Sequence, residues 1–380
     1  MAQALHQFVG GFAGTDAVSN QARAMRAIFR SWGLKSEIFC EARRIQPQLR
    51  SDIRDISQWD AGSPPGDIVF LHLSTGSIVN DVFSRLQCRK VVMYHNITPA
   101  RFFEPVHRQV AQCLAGGRRQ AAALAGKCDV ALAQSKFNAG EMSALGFRDV
   151  RVVPLILDVE ALRVAPARKI LKKYRDGMTN VLFVGRGAPN KKLEDLLLAF
   201  AVFQKTVCPS SRLIIAGSVA GLERYHFILR ALARDLAVRN VEFAGSVSQS
   251  ELSALYQCSH LFLCMSEHEG FCIPLLESMY HNLPILAYAA AAVPETLAGA
   301  GILFREKKFE QVAEMMGRII MDRAFRSAII ALQSRRIREY LALDPASEMK
   351  KQLAPLISLP AVATSPDAPA VGAKAKVGNQ

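Results

Sequence analysis

The chain lacks most of the features that declare a function outright. Its eight cysteines include no Cys-x-x-Cys pair, and no His/Cys grouping has zinc-ligand spacing. A structural zinc site is therefore not indicated, and the cysteines read as small buried hydrophobes of a reducing compartment. No apolar run reaches the ~18–20 residues needed to cross a bilayer. The most apolar stretch, Leu283 to Phe304, is interrupted by Pro284, Pro294 and Glu295. Met1 to Gly14 has neither a basic leader region nor a cleavage pattern, which argues against secretion. No G-x-x-x-x-G-K-[ST] occurs, which excludes a P-loop nucleotidase. The run Gly10-Gly11-Phe12-Ala13-Gly14 lacks the G-x-G-x-x-G spacing of dinucleotide-binding proteins, although its glycines still allow a ligand to approach the backbone. Aromatic residues are not interleaved with Lys and Arg as single-strand nucleic-acid binders require.

What is present is a globular composition, 50% hydrophobic and 21% charged, in 380 residues. A chain of that length is expected to split into two domains. The net charge is +14, with +6 in residues 1–158 and +8 in the remainder. That even spread argues against one nucleic-acid groove and leaves anionic substrates or a membrane surface as partners, alongside a plain solvated basic surface.

Short β-branched runs alternate with helical stretches, the pattern of parallel sheets covered on both faces. Strands are expected at Gln7–Val9, Glu37–Cys40, Asp67–Leu73, Lys90–Tyr94, Val130–Ala133 and Val150–Pro154. The pattern restarts at Asn180–Val184 and runs through Arg212–Ala216, Val241–Phe243, Leu261–Cys264, Pro284–Ala287 and Gly301–Phe304. The fold class is α/β, with two Rossmann-like doubly wound domains facing a cleft. Their expected limits are 1–158 and 179–345, joined by a basic linker at 159–178. A helical segment at 346–358 would pack back on the first domain. Residues 359–380, rich in Pro, Ala, Gly and Ser, are expected to be disordered. Tandem units of this kind hold ligands at the carboxyl ends of their strands.

Two segments there carry candidate chemistry. Gly185 to Lys192 follows the first strand of the second domain and opens a helix. Its Arg186 and Lys191 suit a diphosphate, aided by the helix amino terminus; a solvated helix cap is the plainer reading. Ser266 to Met279 follows the Leu261–Cys264 strand and sets Glu269 in a loop and Glu277 in the next helix. Dipole placement near the helix start accounts for Glu269 but not for Glu277, a carboxylate inside an apolar run that is costly unless it serves a ligand.

These segments resemble the Glu-x7-Glu signature and phosphate-gripping loop of the retaining glycosyltransferases of family 4, which have the GT-B fold. Further likenesses are Phe243-Ala244-Gly245-Ser246-Val247, Val153 to Asp158 and Val293-Pro294-Glu295-Thr296. Asp16 to Asn20 and Tyr94 to Pro99 resemble a subgroup that builds bacterial surface polysaccharides. In chain order these cover nearly everything up to about residue 345. The chain departs at Lys192, where the family usually has glycine, and at Ala290–Ala292, where it often has glycines.

The resemblance implies roles. Arg186 and Lys191 would hold the donor diphosphate, with Lys192 as a second candidate lysine. Glu269 would bind the donor sugar and Glu277 the ribose. The backbones of Phe271 and Cys272 would meet the phosphates, and Val247 the base. His95 would contact the transferred sugar, and Gly10 and Gly11 would form the turn near phosphate and acceptor. His72 could line the same cleft or be a satisfied core histidine. The expected reaction is retaining transfer of a hexose, mannose by resemblance, from a nucleotide-diphosphate sugar to a saccharide or lipid-linked acceptor. No metal or other cofactor is expected, because no Asp-x-Asp stands at a strand end. Nucleic acid is not an expected partner. Work in the cytoplasm, or at the inner face of the membrane, follows from the missing leader and span. Arg23, Arg26 and Arg30 share one helix face and with Arg118 and Arg119 could meet anionic headgroups, although a solvated face is the weightier reading. The alternatives are a nucleotide-sugar epimerase of the same fold and a non-catalytic polyanion binder.

Overall fold

The alternation of the sequence becomes two separate parallel sheets in a computed structural model that describes residues 3–14, 16–59 and 64–357. The tail expected at 359–380 lies outside the described residues. The first unit contains β1 (Leu5–Val9), α1 (Ala17–Ser31), β2 (Ile38–Cys40), β3 (Arg54–Asp55), β4 (Ile68–Leu73), α2 (Ile78–Arg85), β5 (Arg89–Tyr94), α3 (Arg108–Leu124), β6 (Val130–Ala133), α4 (Lys136–Ala144) and β7 (Arg151–Val152). Its seven strands run β3-β2-β1-β4-β5-β6-β7. After α5 (Val159–Leu162) and α6 (Arg168–Tyr174) comes the second unit. It comprises β8 (Thr179–Val184), α7 (Leu193–Thr206), β9 (Ser211–Ala216), α8 (Glu223–Asp235), β10 (Val241–Gly245), α9 (Gln249–Cys258), β11 (Leu261–Cys264), α10 (Ile273–Tyr280), β12 (Ile285–Tyr288), α11 (Val293–Leu297) and β13 (Ile302–Phe304). Its six strands run β10-β9-β8-β11-β12-β13. Then follow α12 (Phe309–Met321), α13 (Arg323–Leu341) and α14 (Pro345–Leu353).

Each sheet reverses its order once, beside β1/β4 and beside β8/β11. These are the switch points where neighbouring loops diverge and leave a crevice. The central strands are buried on both faces: every residue of β4, β9 and β11 is inaccessible or nearly so. This is why they read as unbroken apolar runs rather than alternating ones.

The segment between the domains is more structured than a tether. Ala167 donates its backbone N–H to Ser250 O (2.8 Å), and Tyr174 is buried in the core of the second domain with Tyr256 and Phe262. The sequence reading also has no counterpart for the short β3 and for α2, α4 and α11, because elements of two to nine residues carry too few turns of periodicity to stand out.

The carboxyl-terminal helices cross back between the domains. Tyr340 on α13 donates its hydroxyl to Leu155 O (2.8 Å). Met349, Leu353 and Leu356 then enter the apolar cluster of Leu5, Met25 and Phe29 in the first domain. Arg89 and Arg151 donate to Pro355 O (3.1 Å) and Gln352 O (3.3 Å), fixing the same end. Leu353 is fully buried, so Leu353→Ala should cost about 2–5 kcal/mol. Urea unfolding measures this, and a loss below about 1 kcal/mol would mean that α14 does not complete that core.

Candidate active site in the interdomain cleft

On the second-domain side the chain leaves β8 through Gly185 and Arg186 and makes a 3-10 turn at Pro189–Lys191. Lys192 then adopts φ +54° as it enters α7. That left-handed backbone costs a side-chain-bearing residue about 1–2 kcal/mol, and it accounts for the glycine usual at this position in the family that the sequence resembles. The turn separates the two lysines. Lys192 Nζ pairs with Glu194 Oε1 (2.9 Å), while Lys191 Nζ points inward to Glu269 Oε2 (2.5 Å). Of the two, Lys191 is the one delivered to the cleft. Burial alone would favour its neutral amine, but Glu269 outweighs burial and holds the ammonium above the ordinary lysine range. Arg186 stays exposed, with Nη2 on Ala220 O (3.3 Å).

Glu269 belongs to a loop that is tied down on every side. Asn190 donates to His268 O (2.9 Å) and accepts from Glu267 N (2.9 Å), joining this loop to the lysine turn. Lys307 bridges Asp195 (2.6 Å) and Glu267 (2.8 Å). Ala292 donates its N–H to Glu269 O (3.2 Å), and Ala291 beside it holds φ +52°. Thus both departures from the resembled glycines are left-handed residues flanking the Lys191–Glu269 pair. Neither Asn190 nor Lys307 is singled out by sequence, because the burial of Asn190 and the partners of Lys307 appear only in the fold.

The loop ends at Cys272, which has φ +73° and starts α10 without a side-chain cap. The unsatisfied amides of such a start attract anions. Phe271 O accepts from Thr296 Oγ1, so this turn is also braced from α11. Glu277, one turn into α10, accepts from Tyr256 Oη (2.6 Å). Burial raises its pKa, against the opposing effect of that hydrogen bond. Val247, after β10, packs against the apolar cluster of the same domain.

Folding brings together a group that linear spacing concealed. The ligand atoms of Cys264, Glu269 and Cys272, all buried, lie within 4.8 Å of one another. A hydrogen bond between the thiols lowers Cys264 and raises Cys272. Lys191 already neutralises the carboxylate of this set at 2.5 Å, so the trio is part of the ion-pair pocket.

The first domain supplies the other wall. A Cβ on Gly270 would stand 2.7 Å from Asn96 Cβ and 3.1 Å from His95 O, so only glycine fits where the two domains touch. Ser135 Oγ donates to Gly270 O (2.8 Å), and both Glu295 oxygens accept from Lys136 N (2.8 Å each) at the start of α4. His268 sits among Phe102, Phe137 and Glu141, its Nε2 3.5 Å from the carboxylate. No local pattern signals these contacts, since their partners are more than a hundred residues apart.

His95 is placed at the end of β5 against the Gly270 loop, yet its ring is already committed. Nε2 lies 2.8 Å from His72 Nδ1, and Nδ1 lies 3.1 Å from Gln134 Oε1. The chain continues from His72 to Gln7 (2.9 Å), and from Gln134 to Gln21 (3.4 Å), which holds both backbone groups of Ile156. Burial pulls His95 down to about 4 and His72 well below its usual value, so both rings are neutral near pH 7. In this arrangement the part of His95 that faces the second domain is its backbone. Gly10 and Gly11 lie farther along the same edge, where Gly10 O accepts from Arg44 Nη1 (3.1 Å).

The arginine stripe is not a free cationic face. Arg26 pairs with Asp52 (2.6 Å), Arg30 with Glu37 (3.1 Å) and Arg118 with Glu141 (3.2 Å), while Arg23 lies over the Phe12 ring. Among the described residues, no helix is long and apolar enough to cross a membrane.

Two parallel sheets of this topology define the GT-B class, and solved GT-B structures superpose over nearly the whole chain. Anabaena HepE in complex with UDP and glucose matches with a TM-score of 0.72 and 14% identity, covering 93% of this chain and 100% of that one. WaaG, a glycosyltransferase involved in lipopolysaccharide biosynthesis, matches with a TM-score of 0.68 and 14% identity over 92% and 99%. Within the second domain, residues 168–335 match the family model described as Glycosyl transferases group 1. The GDP-mannose:cellobiosyl-diphosphopolyprenol alpha-mannosyltransferase of Xanthomonas oryzae pv. oryzae is 34% identical over 139 residues, 36% of either chain. The serotype-specific mannosyltransferase WbdA of Escherichia coli is 24% identical over 170 residues, 45% of this chain and 20% of that one. The matched part thus spans about a third or less of these relatives' length. The expected resemblance to glycosyltransferases of bacterial polysaccharide synthesis is shown by these matches.

A raised carboxyl pKa means that Glu277 contributes most to stability while protonated and loses that contribution as pH rises through its folded value. Glu277→Gln keeps an acceptor for Tyr256 and removes the buried charge. At pH 7.5 the unliganded variant should melt about 2–4 °C above the wild type, and the difference should shrink toward pH 4.5. A lower melting temperature across that range would show that the charged form is paid for by contacts of the folded protein.

Proposed function

We propose that the protein is a retaining, metal-independent glycosyltransferase of family 4. It would move a hexose, mannose by kinship, from a nucleotide-diphosphate donor to a saccharide or lipid-linked acceptor in polysaccharide synthesis. The reading is carried by one observation: the buried Lys191–Glu269 pair stands on the loop that leads into the uncapped start of α10, with Glu277 one turn farther along that helix, where Gly270 meets His95 and Asn96 of the first domain. Kinship with mannosyltransferases supports the sugar, and neighbours crystallised with UDP and glucose support the donor class. A cytoplasmic setting is part of the same proposal.

In this reading the diphosphate rests on the amides of Phe271 and Cys272, and its charge is met by Lys191 and the exposed Arg186. Cations aimed at the leaving group stabilise the charge that develops as the glycosidic bond breaks. The acceptor hydroxyl would arrive on the face the diphosphate leaves, without a protein nucleophile. Glu277 would accept from the ribose hydroxyls through the oxygen not engaged by Tyr256. Glu269 would accept from the sugar hydroxyls once the diphosphate shares the Lys191 ammonium. Closure of the two domains about the contact of Ser135 with Gly270 would exclude water and limit donor hydrolysis.

A thermal-shift panel of GDP-, UDP- and dTDP-sugars tests the donor claim, with a GDP-sugar expected to stabilise the wild type most and Glu277→Ala to lose the effect. Absence of stabilisation by any of the three would sink it. Arg186→Ala should lower kcat by about 10²–10³, and activity should persist in EDTA; loss of activity in EDTA would overturn metal independence.

A further inference from the structure

The first domain carries a cavity of 380 Å³ that the donor does not need, at the carboxyl ends of β1 and β4. It exists because α3 approaches the Gly76 turn backbone to backbone. A Cβ on Gly76 would lie 2.3 Å from Cys113 O, and one on Gly117 would lie 2.4 Å from Gly76 N. That contact sets the exposed Arg119 of α3 on the same cavity wall as Arg44.

The two arginines differ in employment. Arg44 Nη1 donates to Gly10 O (3.1 Å) and Gly76 O (2.8 Å), binding together the glycine turns after β1 and β4. Its Nε lies 3.4 Å from Glu41, which Arg43 also engages. Arg119 makes no hydrogen bond, ion pair or ring contact among the described residues. The cavity therefore holds one guanidinium fixed to its floor and one free on its wall, while the nearest carboxylates are engaged, Glu41 by Arg43 and Arg44 and Asp81 by Gln120 (2.9 Å). At its rim stands Ile78, 52% exposed at the start of α2.

We propose that this cavity is a phosphate subsite for the acceptor, taking the diphosphate of a lipid-linked saccharide, with Ile78 meeting the first carbons of the lipid. Its place in catalysis rests on the glycosyl-transfer reading; its anion affinity does not. Two guanidiniums lining one concave site, one of them without a partner among the described residues, favour a multivalent oxyanion over a neutral sugar. A second, anion-binding anchor on the first domain would orient the acceptor toward the cleft, independently of the donor diphosphate on α10.

The test is calorimetric titration of the full chain, with the donor pocket occupied by saturating GDP. The probes are farnesyl diphosphate, inorganic pyrophosphate and farnesol. Farnesyl diphosphate should bind most tightly, pyrophosphate more weakly, and farnesol not at all. Arg119→Ala, on an exposed position, should weaken both anions at least tenfold, Arg119→Lys less, and neither should change GDP affinity. Undiminished binding to Arg119→Ala, or no anion binding by the wild type, overturns the subsite. Pyrophosphate binding as tightly as farnesyl diphosphate overturns the lipid assignment. Should GDP itself fail to bind, the donor reading falls separately, and the same titrations without GDP still decide the anion site.

Discussion

An ammonium and a carboxylate that share a half-closed pocket constrain each other's surroundings severely. Lys191 and Glu269 meet at 2.5 Å, Glu269 being only 8% exposed. Breaking such a pair by removing one partner leaves an uncompensated buried charge, which costs about 3–5 kcal/mol. The loops around it are accordingly over-determined. Asn190 welds the lysine turn to the glutamate loop, Lys307 clamps that loop to α7, and Ala292 caps its carbonyl. Three residues with side chains, Lys192, Cys272 and Ala291, accept left-handed backbone to complete the turns. Strain of this kind persists where the neighbourhood fixes it, and here it encircles the candidate site.

The same loop is where the domains meet. Gly270 is pressed on Asn96, Ser135 reaches across to its carbonyl, and Glu295 answers from the second domain by capping α4. The ion-pair pocket and the domain contact are therefore one segment, since the residue after Glu269 is itself the point of contact. On the far wall, the chain from Gln7 through His72 and His95 to Gln134 and Gln21 ends on Ile156, in the segment joining the domains. A buried polar chain with each member satisfied is stiff. It holds His95 and Asn96 at a fixed height against Gly270.

Most of the architecture was legible. Strands buried on both faces are continuous apolar runs, so twelve of the thirteen surfaced, and the restart near Asn180 marked the second sheet. The short elements β3, α2, α4 and α11 were not legible, because one or two turns of helix carry no periodic signal and their stability is tertiary. The candidate site was partly legible. Glu277 stood out as a charge in an apolar run, and Arg186, Lys191 and Glu269 stood out by position. Which lysine points inward was undecidable from Lys191-Lys192, because the answer lies in one positive φ. Asn190, Lys307 and Glu295 went unseen because their partners are distant in sequence.

Order along the chain determined which segments become strands, which loops carry charge, and how glycine and proline punctuate them. These follow from local sterics and from the apolar run lengths that burial demands. Tertiary structure alone decided what those loops meet. It paired Lys191 with Glu269 and Lys192 with Glu194, set the free thiol of Cys264 beside that of Cys272, engaged both nitrogens of His95, neutralised Arg26 and Arg30, and left Arg119 without a partner among the described residues. Such choices turn on ångström distances between residues remote in sequence, where an ion pair or an unpaired charge is worth several kcal/mol and no local rule encodes the partner.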